Sequence, residues 1–190
     1  MATTQPIRNR EDLRRLAEYF LNKGEKRNYV LVVLASSTAL RIGDLLKLKW
    51  TDVYDEKTNM VKTYIVLSEQ KTGKPKAIAI NEAAASALNR YYQSRSGDYI
   101  FDNGRGEQKP IGRQQAWRII TAASEKIGLK GQISCHSLRK TWGYHAWSCF
   151  RVSPVVIMQI YNHSSFEITK RYLGITQDEM DRAYRSVELF

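Results

Sequence analysis

The sequence contains only two cysteines and no long run of apolar residues. Cys135 and Cys149 are separated by a segment as long as a helix, and they lack the close spacing of metal ligands. We therefore predict two reduced, buried thiols in a cytosolic protein. The longest apolar run, Tyr29 to Ala35, is much shorter than the ~20 residues that cross a bilayer. The first six residues carry no apolar signal segment, so we expect a soluble, cytoplasmic protein.

Acidic residues are scarce relative to basic ones, with 19 Asp and Glu against 30 Lys and Arg. The resulting net charge of +11 and pI near 9.7 predict a polyanionic partner, with nucleic acid ahead of a membrane surface. A basic protein without such a partner is the alternative. The basic residues are dispersed along 190 residues, which favours one folded domain with a basic face over a disordered arm.

Motifs for nucleotide and metal binding are also missing from the sequence. It has no glycine-rich phosphate loop of the G-x-x-x-x-G-K-[ST] type and no carboxylate cluster suited to Mg²⁺. We therefore expect neither ATP nor a metal ion nor any other cofactor.

Apolar residues at three- and four-residue spacing predict a mainly α-helical chain. Residues 50–80 differ, because strand formers at 61–67 and 77–80 flank a turn that contains glycine and proline. With residues 51–54 they predict a small three-stranded antiparallel sheet. The fold class expected is mixed α/β, mainly helical. Helices are expected after Asn9, over 27–37, after Asn81, over about 113–127, from near His136, after Ser153, and in two short segments after Ser164 and Thr176.

Arg41 follows a segment that is apolar nearly all round and precedes an apolar stripe of leucines. A guanidinium held there needs an anionic partner. Asp44, one turn further on, is one candidate partner. The other is a phosphate, with Asp44 serving to orient the arginine. The residues alone leave both interpretations open.

Three lysines, Lys71, Lys74 and Lys76, lie at or next to the expected hairpin turn. Such lysines are usually solvated charge. A lysine desolvated beside other cations is also a plausible proton donor, because its pKa falls readily in that setting.

His136 and Arg139 stand three residues apart at the start of a predicted helix, so their side chains share one face. That end of a helix favours anions, because its unpaired N–H groups point toward them. His163 follows in Asn-His-Ser-Ser, and Tyr172 comes nine residues later. Each residue alone is typical of packing, but the combination with a distant arginine and lysine is hard to obtain by chance.

From Asn9 to Ser186 the sequence resembles the catalytic domain of the tyrosine recombinases, the phage integrase family. The resemblance rests on Ala-Leu-Arg-Ile-Gly-Asp-Leu-Leu at 39–46, His-Ser-Leu-Arg-Lys at 136–140, and Asn-His-Ser-Ser at 162–165 with Tyr172. It implies the catalytic-domain fold of that family, with Asp44 in support of the site. The active-site residues that it implies are Arg41, Lys71, His136, Arg139, His163 and Tyr172. Lys71 is preferred over Lys74 because it precedes the hairpin turn, as the family's lysine does.

The implied chemistry is phosphoryl transfer without metal or ATP, in which Tyr172 forms a 3′-phosphotyrosyl link to DNA. The resemblance implies double-stranded DNA as substrate, a homo-oligomer (a tetramer) on that DNA, and a bacterial or phage-encoded, nucleoid-associated recombinase. Weaker expectations are DNA contacts at Lys74, Arg113 and Lys140.

The sequence departs from the family in two respects. Ala39 and Asn162 stand where the family usually has glycine; asparagine tolerates a left-handed backbone better than alanine does. The sequence also has no counterpart of the family's N-terminal DNA-clamping domain, so we expect a single catalytic domain over 1–190. It is either a catalytic domain separated from the rest of a longer protein or a short, single-domain member of the family. Within it we expect a flexible 1–8 and a tail at 187–190, whose Leu189 and Phe190 dock on a neighbour or on their own chain.

Two other functions fit the same residues. A type IB topoisomerase uses similar groups to relax supercoils, and a DNA-binding regulator would retain the site without catalysis. Integrase and invertase roles share one chemistry, so the sequence does not separate them. Tyr161 and Tyr184 are the alternative nucleophiles if Tyr172 is not the one.

Overall fold

The computed structural model describes residues 4–68, 75–173 and 177–188. In these ranges the chain is mainly helical, which confirms the expected fold class. The helices are α1 (Arg10–Asn22), α2 (Lys26–Ser37), α3 (Ile42–Leu45), α4 (Trp50–Val53), α5 (Glu82–Tyr92), α6 (Arg113–Lys126), α7 (Cys135–Ser148), α8 (Pro154–Tyr161), α9 (Phe166–Leu173) and α10 (Gln177–Ser186). The strands are β1 (Tyr54–Asp55), β2 (Met60–Val61), β3 (Tyr64–Ser68) and β4 (Pro75–Ala79).

Helix starts follow the predicted caps. The side chain of Asn9 accepts a hydrogen bond from Glu11 N, that of Asn81 from Ala84 N, and that of Ser153 from Val155 N. Each cap satisfies an N–H group that has no partner within its own helix. The central helix is α2, whose buried side is nearly continuous and which packs against α1, α5 and α7. It therefore fixes the position of α7, the helix that carries His136 and Arg139.

The predicted three-stranded sheet is wrong in detail, because two separate two-stranded antiparallel sheets take its place in the described residues. Tyr54 pairs with Val61 in one, and Tyr64 pairs with Ala79 in the other. The expected strand at 61–67 is thus divided between the two sheets. Residues 51–53 are helical, since Asp52 accepts a hydrogen bond from Lys49 N and caps α4. The hairpin turn that carries Lys71 and Lys74 lies outside the described residues.

Buried side chains form two clusters. The larger one joins α1, α2, α5 and α6 with the sheets and includes Cys135, whereas Cys149 is exposed, so the prediction of two buried thiols is wrong for Cys149. The smaller one, which we call the second core, consists of Ala39, Ala146, Ile157, Tyr161 and Leu173, with partly buried residues such as Trp142 and Tyr172 packed against it. The second core joins α7, α8 and α9 to the segment before Arg41. Helices α7 and α9 carry predicted active-site residues, and two others, Arg41 and His163, follow within two residues of Ala39 and Tyr161.

Residues 4–8, the described part of the segment expected to be flexible, pack along α7. Pro6 and Ile7 are buried, and Ile7 N donates to Thr141 Oγ1 at 2.8 Å. Lys140 Nζ donates to Thr4 O at 2.7 Å, and His145 Nε2 lies 3.0 Å from Ile7 O. Among the helices that the structure describes, each is too short or too polar to cross a bilayer.

Candidate active site

Arg139 is largely enclosed, with 6% of its surface exposed. It lies in the second turn of α7, whose start is closed by Ser134 N donating to Ser137 Oγ at 3.1 Å. One guanidinium nitrogen, Nη1, donates to Ala39 O, and Nη2 donates to Tyr161 O at 3.2 Å. Arg139 therefore joins three elements: α7, the segment before α3 and the end of α8.

The backbone at both anchoring points is left-handed. Ala39 has φ 55° and Asn162, directly after Tyr161, has φ 53°. In these conformations the carbonyls of Ala39 and Tyr161 accept hydrogen bonds from Arg139. Asn162 meets the requirement readily, whereas alanine pays the Cβ penalty of this region. The two positions where glycine was expected are thus conformationally special, and both are filled by residues with side chains.

Arg41 is the N-cap residue of α3, and its side chain is exposed. Asp44 N donates to Arg41 O at 2.9 Å, but among the described residues no hydrogen bond or ion pair joins the two side chains. The ion pair between Arg41 and Asp44 is therefore not observed, and the supporting role of Asp44 stays a prediction. The guanidinium remains available to an external anion.

A cavity of about 730 Å³ brings most of the predicted residues together. Its wall contains Arg41, Asp44, His136, Arg139 and Tyr172, which lie far apart in the sequence. The predicted DNA contact Arg113 lines the same cavity and so do two other cations, Lys47 and Lys76. Arg113 packs over Gly43, where a built Cβ would come within 2.7 Å of its Nε. Gly43, two residues after Arg41, is the feature of the sequence that could have indicated this close approach.

Tyr172 lies in contact with both predicted histidines. Its ring centroid is 5.2 Å from that of His136 and 4.6 Å from that of His163, in edge-on arrangements. Tyr172 and Arg139 line the same cavity. His163 packs behind Tyr172 and is not part of the cavity wall that the described residues form; its Nδ1 lies 3.0 Å from Thr169 Oγ1.

Both histidines are held in their neutral forms. Burial, together with the charges of Arg139 and Arg41, lowers the pKa of His163 to about 4. The pKa of His136 is also lowered, by its partial enclosure and by Lys140 and Arg139, although the residue retains solvent access at the cavity mouth. Burial lowers the pKa of Arg139 as well, while the Tyr161 and Tyr172 phenols raise it, and an arginine keeps its charge in such a site.

Lys140 and Tyr184 are not part of the cavity wall that the described residues form. Lys71 and Lys74 fall outside the described residues, so their positions stay predictions. Lys140 is 4% exposed; its ammonium binds Thr4 O and lies 5.5 Å from the Tyr172 ring centroid. This interior position does not favour the expected DNA contact, which stays a prediction. Of the alternative nucleophiles, Tyr184 is 82% exposed on α10 and Tyr161 is 1% exposed beneath Arg139.

Comparison with known proteins gives consistent matches. A model of the phage integrase family matches residues 9–179. A probable integrase/recombinase of Bacillus subtilis, YoeC, is 38% identical over 187 residues, which are 97% of this chain and 97% of that protein. The tyrosine recombinase XerA of Pyrococcus furiosus is 25% identical over 94% of this chain but only 60% of its own length.

Solved structures share the fold. A crystal structure of XerA recombinase superposes with a TM-score of 0.76 at 23% identity, covering 97% of this chain and 66% of that one. The XerH site-specific recombinase, bound to its palindromic difH substrate in a post-cleavage complex, superposes with a TM-score of 0.73 at 17% identity, covering 96% and 53% respectively. The chain thus spans nearly all of YoeC and roughly half to two thirds of these longer recombinases.

Proposed function

Because this chain belongs to the phage integrase family, we propose that it is a site-specific DNA recombinase. It cleaves and rejoins DNA through a 3′-phosphotyrosyl link formed by Tyr172. The observation that carries the proposal is the shared cavity, whose wall contains Tyr172 together with Arg41, His136 and Arg139. The similarity to YoeC and XerA, which are an integrase/recombinase and a tyrosine recombinase by name, supports it.

The scissile phosphate binds between Arg41 and Arg139 in this mechanism. Arg41 contributes an exposed guanidinium without a protein partner among the described residues, and Arg139 contributes the donors that the Ala39 and Tyr161 carbonyls do not use. Planar guanidinium groups match the non-bridging oxygens of a phosphate. Removing one such donor costs roughly 3–4 kcal/mol of transition-state stabilisation, by analogy with oxyanion holes.

Tyr172 Oη attacks phosphorus; the new Oη–P bond replaces the bond to the 5′-oxygen, which leaves as a hydroxyl. Neutral His136 accepts the phenolic proton, and Lys71 protonates the leaving oxygen. His163 donates to the phosphate from the ring nitrogen that does not face Thr169. A 5′-hydroxyl from a second strand then attacks the phosphotyrosine, releases Tyr172 and restores the phosphodiester without ATP.

Double-stranded DNA is the proposed substrate and a homo-oligomer, a tetramer on two duplexes, the proposed working form. The charge of +11 supports the first, as do Lys47, Lys76 and Arg113 beside the catalytic residues. For the second, α10 exposes Met180 and the residue after the helix, Val187, is 65% exposed, which suits docking on a neighbouring copy. We place the reaction at the DNA of a bacterial or phage host, in the cytoplasm.

A type IB topoisomerase and a non-catalytic regulator are the competing functions. The topoisomerase would relax supercoiled DNA without exchanging strands between two sites, so product topology separates it from a recombinase. The regulator would bind DNA in a salt-dependent way and form no covalent link.

The test is incubation with a nicked suicide DNA site, followed by denaturing electrophoresis to detect a covalent protein–DNA adduct. The wild-type protein is expected to form the adduct, and Tyr172→Phe is expected to abolish it while DNA binding is retained. Tyr184→Phe serves as the matched control, because it removes an exposed phenol and should leave the adduct intact. An adduct that survives in Tyr172→Phe contradicts the assignment of the nucleophile, and its absence from the wild-type protein contradicts catalysis.

A further inference from the structure

Tyr161 lies at the centre of the groups that the proposed mechanism uses. It ends α8 and is 1% exposed, which makes it one of the largest fully buried side chains. The guanidinium carbon of Arg139 is 4.4 Å from its ring centroid. The His163 ring lies nearly parallel to it, at 4.9 Å and 24°, and the Tyr172 ring is 4.9 Å away. One aromatic ring thus contacts an arginine, a histidine and the nucleophile.

Polar contacts bind Tyr161 and Arg139 to each other in both directions. The Tyr161 phenol donates to Arg139 O at 2.6 Å, and Arg139 Nη2 donates to Tyr161 O at 3.2 Å. A guanidinium has five N–H donors, and the Ala39 and Tyr161 carbonyls use two of them. The ring therefore supports one face of the guanidinium plane, the two carbonyls hold its inner side, and the remaining donors stay available for the cavity.

Gly143 provides the space for this arrangement. It lies one turn after Arg139 on α7, and a Cβ at that position would come within 2.9 Å of Tyr161 Cε2 and closer still to its phenolic oxygen. Glycine inside a helix lowers stability relative to alanine. At this position that loss accompanies the space that the Tyr161 phenol occupies. Burial raises the pKa of Tyr161, and Arg139 offsets only part of that increase; the phenol stays protonated, as a donor and not as a nucleophile.

We propose that Tyr161 is a positioning residue, which holds the Arg139 guanidinium plane at the orientation that receives the scissile phosphate while it supports His163 and Tyr172 from below. The inference rests on the proposed recombinase function. It adds a residue that contacts no DNA and acts through Arg139 and the two rings. Catalytic geometry is sensitive to such support, since a displacement of about 1 Å costs roughly 100-fold in rate.

Two substitutions separate the contribution of the Tyr161 hydroxyl from that of its aromatic ring. Tyr161→Phe retains the ring and removes the O–H bond to Arg139 O, so single-turnover cleavage of the suicide site should slow by about 3- to 10-fold. Tyr161→Leu also removes the aromatic face and should slow cleavage about 100-fold. The dissociation constant for DNA should change less than about 2-fold in both, because phosphate contacts along the whole interface set affinity. Urea unfolding verifies that each variant is folded at the assay temperature.

Tyr91→Phe is the matched control. Tyr91 is also buried, with 7% exposure, but it packs against Trp50 in the larger core, so cleavage should be unchanged. Gly143→Ala tests the position of the Tyr161 ring without changing Tyr161 itself. The added methyl displaces the ring and should slow cleavage in the wild-type background. It should have no further effect in Tyr161→Leu, whose shorter side chain leaves room for it.

A double-mutant cycle tests the route through Arg139. In an Arg139→Lys background, which lacks the planar guanidinium, Tyr161→Leu should slow cleavage less than about 3-fold, because contacting residues are energetically coupled. Additive losses overturn the inference, and so does wild-type cleavage by Tyr161→Leu. Complete loss of the adduct in Tyr161→Phe overturns it as well, and makes Tyr161 the candidate nucleophile. Failure of the proposed function is distinct, because the wild-type protein itself would then form no adduct.

Discussion

At the scale of single residues, the left-handed conformations of Ala39 and Asn162 are the clearest constraint on the site. Their φ values are 55° and 53°, and the carbonyls of Ala39 and Tyr161 hold Arg139. A residue with a Cβ pays about 1–2 kcal/mol in this region, and asparagine less than most. Ala39 bears that cost in a buried position, where its methyl packs in the second core.

Asn162 allows this cost to be measured, because it is exposed and its replacement changes little packing. We expect Asn162→Ala to lower the free energy of unfolding by about 1 kcal/mol, since alanine lacks asparagine's tolerance of a left-handed backbone. Asn162→Gly is the control and should lie within about 0.5 kcal/mol of the wild-type protein. Urea denaturation followed by circular dichroism measures both. Equal stability of the alanine and glycine variants would show that this backbone conformation imposes no constraint.

Residue types and spacing predicted which residues belong to the site better than they predicted the contacts that these residues make. Arg41, His136, Arg139 and Tyr172 share a cavity as expected, and their catalytic roles stay predictions. Tyr161 was considered only as an alternative nucleophile. Its support of Arg139 depends on the missing side chain of Gly143 and on the packing of α8 against α7, which no local pattern in the sequence specifies.

At the scale of elements, the N-terminal segment 4–8 behaves as an additional layer on α7. Thr4 O accepts a hydrogen bond from Lys140, and Ile7 O lies within hydrogen-bond distance of His145. Ile7 N donates to Thr141 Oγ1. The apolar Ile7 side chain, 4% exposed, anchors it to the larger core. Since α7 carries His136 and Arg139, this segment stabilises the helix at the centre of the site.

Ile7→Ala should therefore lower the free energy of unfolding by about 2 kcal/mol or more, as expected for truncation of a buried isoleucine. Gln5→Ala, at an exposed position two residues earlier, is the control and should change stability by less than about 0.5 kcal/mol. The midpoints of urea unfolding provide the comparison. If both variants were as stable as the wild-type protein, segment 4–8 would contribute nothing to the fold.

Helices were predicted more accurately than strands for a physical reason. A cap such as Asn9 and a stripe of apolar residues act within a few positions of each other, so the sequence alone locates α1. Strands depend on partners elsewhere in the chain. The strand formers at 61–67 look continuous, but Lys62 N donates to Val53 O and Ile80 N to Thr63 O, which directs the two halves into different sheets. Pairing choices of this kind are set by tertiary contacts.

At the scale of the whole molecule, all three histidines are held neutral within a chain of charge +11. Burial is the main cause of the lowered pKa at His163, His136 and His145. Neighbouring cations contribute in each case, with Arg139 beside His163, Lys140 beside His136 and Arg10 beside His145. Near neutral pH each of these imidazoles therefore carries one N–H donor and one acceptor nitrogen.

These shifts predict that the protein loses stability as the pH falls. A histidine in the unfolded chain has a pKa near 6.5, while that of His163 in the folded protein is about 4, so the unfolded state binds more protons between these values. The stabilisation is complete above about pH 6.5 and is lost progressively as the pH falls toward the folded pKa. Urea midpoints should thus decrease from pH 7.0 to 5.5, a range in which ordinary carboxyl groups titrate little. His163→Gln should show a shallower decrease than the wild-type protein, because one of the three sites of proton uptake is removed. A midpoint that stays constant or rises over this range would contradict the lowered pKa values.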